Sequence, residues 1–106
     1  MPWTVELKEA ALEHLQWFGE KTGRKLLERA LEFLEQDPLA ETRNLKTLRR
    51  NPIAQRELRL FGTYRLLFSV DEREHLVTII LVGEKRGNRL LVMGEEFSEH
   101  EGNSTE

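Results

Sequence analysis

The sequence predicts an α+β fold in which an antiparallel sheet packs against a hairpin of two helices. The first observation is a stretch rich in strand-forming residues between positions 56 and 82, which two short polar breaks divide into three runs. Such a pattern is typical of a β-meander. The second observation is a pair of segments between residues 8 and 34 that repeat apolar residues at helical spacing. Because each amphipathic helix needs a surface to cover its apolar face, the two patterns favour helices layered on one sheet.

A short strand and a helix are predicted at the beginning of the chain. Residues 3–7 alternate apolar with polar side chains, which is the pattern of a half-buried strand and adds an N-terminal strand to the sheet. Residues 8–18 contain no helix breaker, and Ala11, Leu15 and Phe18 recur at positions i, i+4 and i+7. These side chains therefore share one face of a predicted helix that ends before Gly19.

A second helix and a basic connector follow. Thr22 is a residue type that caps helices, and Pro38 is expected to lie just beyond the helix end. The predicted buried stripe of this helix consists of Leu27, Ala30, Leu31 and Leu34. Residues 39–53 form a polar, basic connector, in which Leu45 and Leu48 are expected to anchor a single turn of helix onto the domain.

The meander is predicted to have strands at residues 56–60, 64–70 and 75–82, and a short final strand is predicted at residues 90–93. The middle strand has two alternating sets of side chains, Tyr64, Leu66, Phe68 and Val70 in one and Arg65, Leu67 and Ser69 in the other. Successive side chains of a strand point to opposite faces of the sheet. The first set is therefore expected to meet the helices, and Arg65 is expected on the second, partly open face.

Length and composition bound the kind of protein. A chain of 106 residues predicts one domain, at residues 1–97, and the acidic residues 98–106 are predicted to form a flexible tail. The chain has no cysteine, which excludes disulfides, zinc–thiolate sites and thiol nucleophiles and fits a cytoplasmic protein. No signal-peptide pattern is present, and no apolar run approaches the roughly 20 residues of a membrane helix. We therefore expect no membrane partner.

Positive charge is concentrated in the middle of the sequence, although the net charge is −3. Residues 38–70 carry seven Lys and Arg against two Asp and Glu. Because salt screens charges that lie more than about 10 Å apart, such a region can bind phosphate groups even in an acidic protein. The alternative is that these residues only keep the surface soluble.

Three segments resemble motifs of the RelE/ParE superfamily of toxin–antitoxin toxins: LKTLRRNP (45–52), RELRLFGTYRLLFSVD (56–71) and VGEKRGNRL (82–90). The resemblance covers about residues 3–93, and it implies the same α+β fold. In that family the RelE branch cleaves mRNA in the ribosomal decoding site without metal, whereas the ParE branch poisons DNA gyrase. A third alternative is a weakened homologue that only binds its antitoxin. Each alternative implies a cognate antitoxin protein as partner, and none implies a metal or cofactor.

The resemblance implies a catalytic group of Arg65, Lys85 and Arg86. Arg65 matches the arginine of the family's Tyr-Arg motif, and Lys85 follows its Val-Gly-x turn. Arginine can stabilise the charge of a phosphorane, but it stays protonated and cannot serve as a base. RNA or phosphate binding is expected of six further residues, Lys46, Arg49, Arg50, Arg56, Arg59 and Arg89. The structural alternative is a strand arginine paired with Glu57 or Glu84.

Proton transfer is where this sequence departs from the family. The RNase branch often has a Tyr or His a few residues after the basic turn, whereas residues 90–93 contain neither. His14, His75 and His100 are not expected to fill this gap, and Tyr64 is expected to face the helices. The sequence therefore predicts the anion-binding half of a nuclease site and leaves open whether the chain is an active RNase.

Overall fold

A mixed sheet with two helices on one face makes up residues 2–97, the part of the chain that the computed structural model describes. The predicted tail at residues 98–106, which includes His100, lies outside the described residues. The elements in chain order are β1 (Thr4–Leu7), α1 (Glu9–Trp17), α2 (Glu20–Leu34), β2 (Leu45–Thr47), β3 (Arg56–Leu60), β4 (Tyr64–Asp71), β5 (Leu76–Arg86), β6 (Arg89–Val92) and β7 (Glu95–Phe97).

The sheet has the order β2-β3-β4-β5-β6-β7, and every neighbouring pair in this series is antiparallel. Strand β1 is the exception, because it pairs with β5 in parallel, with Thr4 opposite Leu76. One edge of β5 therefore holds β1 along its first half and β6 along its second half. This arrangement confirms the predicted fold class, with a helical hairpin covering a largely antiparallel sheet.

The predicted meander is present as β3, β4 and β5. Strand β5 is longer than predicted, because residues 84–86 of the basic turn continue the strand and pair with β6. A bulge interrupts the β4–β5 pairing, since Leu67 lies opposite Leu81 and the next residue, Phe68, lies opposite Ile79. Strand β7 was not predicted; it pairs Phe97 with Leu90 at the edge of the sheet.

The predicted cap at Thr22 is wrong, because α2 begins at Glu20 and Gly19 is its N-cap. The buried stripe of α2 is also shifted from the predicted one and consists of Gly23, Leu26, Ala30 and Leu34. The reason is the contact with α1, where a Cβ atom on Gly23 would lie 2.5 Å from the carbonyl oxygen of Leu15. Gly23 thus allows the two helices to approach closely, and it lies on the buried side of α2.

The helical turn predicted around Leu45 and Leu48 is also wrong. Residues 45–47 form strand β2, in which Leu45 lies opposite Leu58 of β3 and is buried in the main core. The backbone N–H of Leu48 donates to the carbonyl of Gln55 at 2.9 Å and closes the loop that follows. The open edge of β3 supplies hydrogen-bond partners that a lone helical turn would lack, which explains the strand.

Two apolar clusters hold the sheet, one on each face. The helix-covered face carries the main core, to which β4 contributes Leu66 and Phe68 and against which Tyr64 packs. The other face carries a smaller cluster of Ala54, Leu67 and Leu81, beside which lie apolar residues of the loop after β2 and of the last strands. The predicted alternation along β4 is therefore confirmed. No helix within residues 2–97 is both long and apolar enough to cross a membrane.

Candidate functional site

The sheet face that the helices do not cover, called the open face below, carries two arginines directly opposite each other. Arg59 of β3 pairs with Arg65 of β4, and Arg65 pairs on its other side with Gly83 of β5. Like charges in direct cross-strand pairs destabilise a sheet. The buried Nε atoms of both arginines have no hydrogen-bond partner within the described residues. An anionic ligand between the two guanidinium groups would offset their repulsion.

The side chain of Arg65 is held in place by its own chain. Its Nη1 group donates to the carbonyl oxygens of Gly62 at 3.0 Å and of Tyr64 at 3.1 Å. Its Nε atom lies 3.0 Å from Oε2 of Glu57, but the N–H does not point at that oxygen, so the contact is an ion pair without a directed hydrogen bond. The arginine side chain is only 11% exposed. The guanidinium is therefore fixed before any ligand arrives.

Charges of both signs act on Arg65. Burial lowers the pKa of its guanidinium, the charge of Glu57 raises it, and the charge of Arg59 lowers it again. An arginine nevertheless stays protonated throughout the physiological range. A phosphate that displaces Glu57 would meet a permanently charged, partly dehydrated guanidinium and bind it through charge-assisted hydrogen bonds.

Two further charged residues lie diagonally on either side of Arg65 on the open face. Glu57 lies opposite Leu67, which is two residues from Arg65 along β4. Lys85 is two residues beyond Gly83, the partner of Arg65 on β5. Diagonal neighbours of this kind are about 7–8 Å apart in an antiparallel sheet. Glu57, Arg65 and Lys85 therefore form a line across three strands, with the arginine in the middle.

The remaining residues predicted to bind phosphate are divided between the two faces. Lys46 of β2 lies directly opposite Glu57, so it shares the open face. Arg49 and Arg50 are exposed in the loop that follows β2. This basic group thus extends the positive charge from Arg65 toward the β2 edge of the sheet.

Arg56 lies on the helix-covered face, although it was grouped with Arg59 in the prediction. Residues three apart in a strand point to opposite faces, which the residue spacing alone could have shown. The buried Arg56 guanidinium donates through Nη1 to Oε2 of Glu41 and Oγ1 of Thr47, both at 2.9 Å, and through Nη2 to the carbonyl of Ala40. Its Nε makes no hydrogen bond within residues 2–97. Arg56 therefore ties the connector to β3.

Arg86 and Arg89 are also separated from Arg65. Because β5 continues through residue 86, Arg86 points to the face opposite that of Lys85, and it lies 3.5 Å from Glu84. Arg89 lies opposite Arg86 on β6 and pairs with Glu96 at 3.5 Å. The sequence interpretation treated this segment as a turn, in which neighbouring side chains need not alternate. Of the predicted catalytic group, the structure brings Arg65 and Lys85 to the same face.

No tyrosine or histidine reaches the open face within residues 2–97. Tyr64 packs edge-on against Phe18, with ring centroids 5.3 Å apart, as predicted. The ring of His75 stacks on Trp3 at 3.9 Å. His14 is buried, and its Nδ1 accepts a hydrogen bond of 3.1 Å from the backbone N–H of Val82. Burial lowers the pKa of His14, and the nearby Glu13 opposes this effect.

Glu57 is the functional candidate that sequence reasoning missed. It was treated only as a possible ion-pair partner of a strand arginine. The signal was present in the strand parity, because Glu57 and Arg59 alternate with the buried residues of β3 and so share the open face. Its side chain is 14% exposed and lies against Arg65. The open face therefore holds a proton acceptor beside the arginine pair.

Comparisons with solved structures identify the family, whereas no protein-family model and no curated protein matches the sequence. A chain of the RelBE2 toxin–antitoxin complex from Mycobacterium tuberculosis is 30% identical, with a TM-score of 0.68, over 80% of this chain and 100% of that one. The isolated E. coli RelE toxin is 27% identical, with a TM-score of 0.61, over 81% of this chain and 88% of that one.

The archaeal RelE–RelB complex from Pyrococcus horikoshii OT3 matches at 23% identity with a TM-score of 0.63, over 83% of this chain and 99% of that one. At this identity the match shows the shared fold alone. The complete coverage of the mycobacterial chain at 30% identity shows more than the fold. The chain described here belongs to the RelE family of toxins.

Proposed function

We propose that this toxin cleaves mRNA in the decoding site of the ribosome, in the cytoplasm, and thereby stops translation. The observation that carries the proposal is the line of Glu57, Arg65 and Lys85 across the open face. RNA can be cut without metal when its 2′-OH attacks the adjacent phosphorus and the 5′-oxygen leaves on the opposite side. Such an in-line reaction needs a proton acceptor and a proton donor on opposite sides of the group that holds the phosphate. Glu57, Arg65 and Lys85 follow this order across β3, β4 and β5.

We assign Arg59 and Arg65 to stabilising the negative charge that develops on the phosphate. The phosphorane that forms during the attack carries more negative charge than the starting phosphodiester. Arg65 and Arg59 face each other across two strands, and the backbone carbonyls of Gly62 and Tyr64 hold the Arg65 guanidinium in place. Donors that are fixed before the reaction stabilise developing charge without reorganising. The pair is therefore suited to the phosphate oxygens of the scissile bond.

Proton transfer is assigned to Glu57 and Lys85. When the phosphate binds Arg65, it replaces Glu57 as the partner of the guanidinium, and the freed carboxylate accepts the 2′-OH proton. The 2′-oxygen then bonds to phosphorus, the bond from phosphorus to the 5′-oxygen breaks, and the Lys85 ammonium donates its proton to that oxygen. Carboxylates accept and ammonium groups donate protons at neutral pH. The products are a 2′,3′-cyclic phosphate and a 5′-hydroxyl end.

A cognate antitoxin is the second part of the proposal. The mycobacterial and archaeal relatives were solved as toxin–antitoxin complexes. Basic residues are concentrated on and around the open face, where Lys46, Arg59, Arg65 and Lys85 lie. Acidic side chains of an antitoxin would neutralise this surface and keep mRNA from it. We therefore expect the antitoxin to cover the open face.

Cleavage of mRNA on programmed ribosomes tests the proposal. We expect Arg65→Ala to lower kcat by about 10²- to 10³-fold, the range for removal of one preorganised charge-stabilising donor. Glu57→Gln should remove the acid limb of the pH–rate profile as well as lowering kcat, because the amide cannot accept the proton. Ser69→Ala, on the same face of the same strand, serves as the matched control. Circular dichroism checks that each variant is folded.

Growth arrest after induction distinguishes the proposal from its alternatives. Cleaved mRNA ends that carry cyclic phosphate, lost in Arg65→Ala, support the nuclease. Arrest that persists in Arg65→Ala would contradict the site assignment. DNA damage with intact mRNA would instead indicate a gyrase poison, and a folded protein that causes no arrest would indicate a homologue that only binds its antitoxin.

A further inference from the structure

Phe61, at the tip of the β3–β4 hairpin, is an aromatic residue in a position that disfavours it. Its φ angle is +50°, and that of the next residue, Gly62, is +75°. A positive φ is uncommon for residues other than Gly, Asn and Asp, and it strains a bulky side chain. The ring is nevertheless 48% exposed and so contributes little burial in return. Burial of the ring therefore does not explain the choice of Phe at this position.

Cations from α2 surround the Phe61 ring. Nζ of Lys25 lies 5.5 Å from the ring centroid, and Cζ of Arg29 lies 5.9 Å from it. Arg29 also lies 5.6 Å from the ring of Phe33 and pairs with Glu32 at 3.1 Å. Proteins bind single-stranded nucleic acids with exposed aromatic rings beside positive charges, because the bases stack on the rings and the charges neutralise the phosphates.

A cleft of about 220 Å³ lies beside the Phe61 ring. It is lined by Arg29, Phe33, Asn44, Arg59, Leu60, Phe61 and Gly62. Among residues 2–97, no carboxylate lines this cleft, whereas Glu28 and Glu32 line the depression that Phe61 shares with Lys25 and Arg29. Pockets for drug-sized ligands occupy about 300–1,000 Å³, so a cleft of this size suits a single base.

The cleft adjoins the proposed cleavage site at Arg59. That residue lines the cleft and also lies directly opposite Arg65 in the β3–β4 pairing. The backbone of the hairpin connects the two places a second time, because Gly62 lines the cleft and its carbonyl oxygen accepts a hydrogen bond from Arg65. A chain with its scissile phosphate at Arg65 can therefore continue into the cleft.

We propose that the Phe61 cleft binds one nucleotide of single-stranded RNA next to the cleaved bond, with its base stacked on the Phe61 ring. Arg29 and Arg59 contact the phosphate of this nucleotide. The inference rests on the proposed nuclease function for its substrate class and adds a subsite to it. Because every base has a stacking face, the subsite positions the chain with little preference for sequence. Binding energy at such a flanking position holds the reacting phosphate in place.

Direct RNA binding by the full-length toxin tests the subsite separately from cleavage. The probe is a fluorescent hexaadenylate with 2′-O-methyl riboses, which cannot be cut, and a second probe has one abasic nucleotide. We expect Phe61→Ala to weaken binding of the first probe by about 5- to 150-fold, the range for loss of one base stack. Phe61→Trp should bind it as well as the wild type. Leu12→Ala, which truncates a side chain that is 46% exposed on α1, is the matched control.

The abasic probe makes the test specific for stacking. The abasic nucleotide is placed at each position of the probe in turn. At one position it should weaken wild-type binding to the affinity of Phe61→Ala for the intact probe. At that position it should not weaken the binding of Phe61→Ala any further. Phe61→Asn should raise Tm, because asparagine tolerates positive φ, while losing RNA binding as Phe61→Ala does. Such a result would separate the role of the ring from the stability of the turn.

The outcomes separate this inference from the proposed function. A toxin that binds the probe through Phe61 but cuts no mRNA would retain the subsite and refute the nuclease. Equal probe binding by wild type and Phe61→Ala, or no binding by either, would overturn the subsite whether or not cleavage occurs. Weaker antitoxin binding by Phe61→Ala with unchanged RNA binding would assign the ring to a protein interface and would also overturn it.

Discussion

The two faces of the sheet use the same three strands for different purposes. On the helix-covered face, Leu66 and Phe68 are fully buried, and the Arg56 guanidinium is bonded to acceptors from the connector. On the open face, Arg59 and Arg65 lie opposite each other at a cost in stability. The difference shows that alternation along β3 and β4 separates residues that hold the fold from residues available to a ligand.

Arg56 and Arg65 make this difference plain. Their side chains are almost equally inaccessible, at 8% and 11% exposed. Arg56 contacts Glu41, Thr47 and the Ala40 carbonyl, all supplied by the connector. Arg65 is ion-paired with Glu57 on the face that a ligand can approach. Burial by itself therefore does not identify a functional arginine; its face and its partners do.

The largest effect on stability is expected in the helix-covered core. Phe68→Ala should lower the free energy of unfolding by about 3–5 kcal/mol, because it leaves a cavity where a fully buried ring packs. Ser69→Ala, one residue away on the open face, should change it by less than about 0.5 kcal/mol. Urea unfolding curves of the two variants measure the contrast. Similar losses in both would refute the division of roles between the faces.

A pair of arginine variants tests the same division with matched chemistry. Arg65→Met should lower mRNA cleavage by about 10²- to 10³-fold, because it removes a fixed positive charge from the open face. Arg56→Met should leave cleavage unchanged but lower the free energy of unfolding by about 1.5–3 kcal/mol, the range for hydrogen bonds to a charged group. Cleavage on programmed ribosomes and urea unfolding give the two readouts. An Arg56→Met variant that is stable but inactive would contradict the structural role of Arg56.

The smallest expected effect is the pH dependence of stability that His14 causes. Burial lowers the pKa of His14 in the folded protein below its value in the unfolded chain, which is about 6.5. The unfolded state then binds the proton more readily, so stability is greatest above about pH 6.5 and falls as the pH drops below it. The slope from one group cannot exceed about 1.4 kcal/mol per pH unit.

His14→Gln is the matched variant for this effect. Glutamine has a side-chain oxygen that can accept a hydrogen bond from the backbone N–H of Val82, as Nδ1 of His14 does, but it does not titrate. Unfolding measured between pH 5 and pH 7.5 should show a shallower pH dependence in the variant than in the wild type. An identical pH dependence would show that other groups cause it.

Local sequence pattern predicted the elements better than their contacts. The meander, the two helices and the facing of Tyr64 and Arg65 follow from residue spacing, which records the buried side of each element. Strand β2 was missed because three residues are too short for a periodic signal. The stripe of α2 was misplaced because the close approach at Gly23 depends on where α1 lies. The pairing of β2 with β3 and the position of α1 beside α2 cannot be inferred from the residues of β2 or α2 alone.

The sequence by itself determined the fold class, the positive charge around residues 38–70 and the presence of Arg65 on an open face. Only the tertiary structure decided which charges meet there. The pairing register places Glu57 and Lys85 diagonally around Arg65, and the extension of β5 turns Arg86 to the other face. The physical reason is that periodicity fixes a side chain relative to its own strand. Its neighbours across strands are fixed by long-range hydrogen bonding and packing, which residue spacing does not specify.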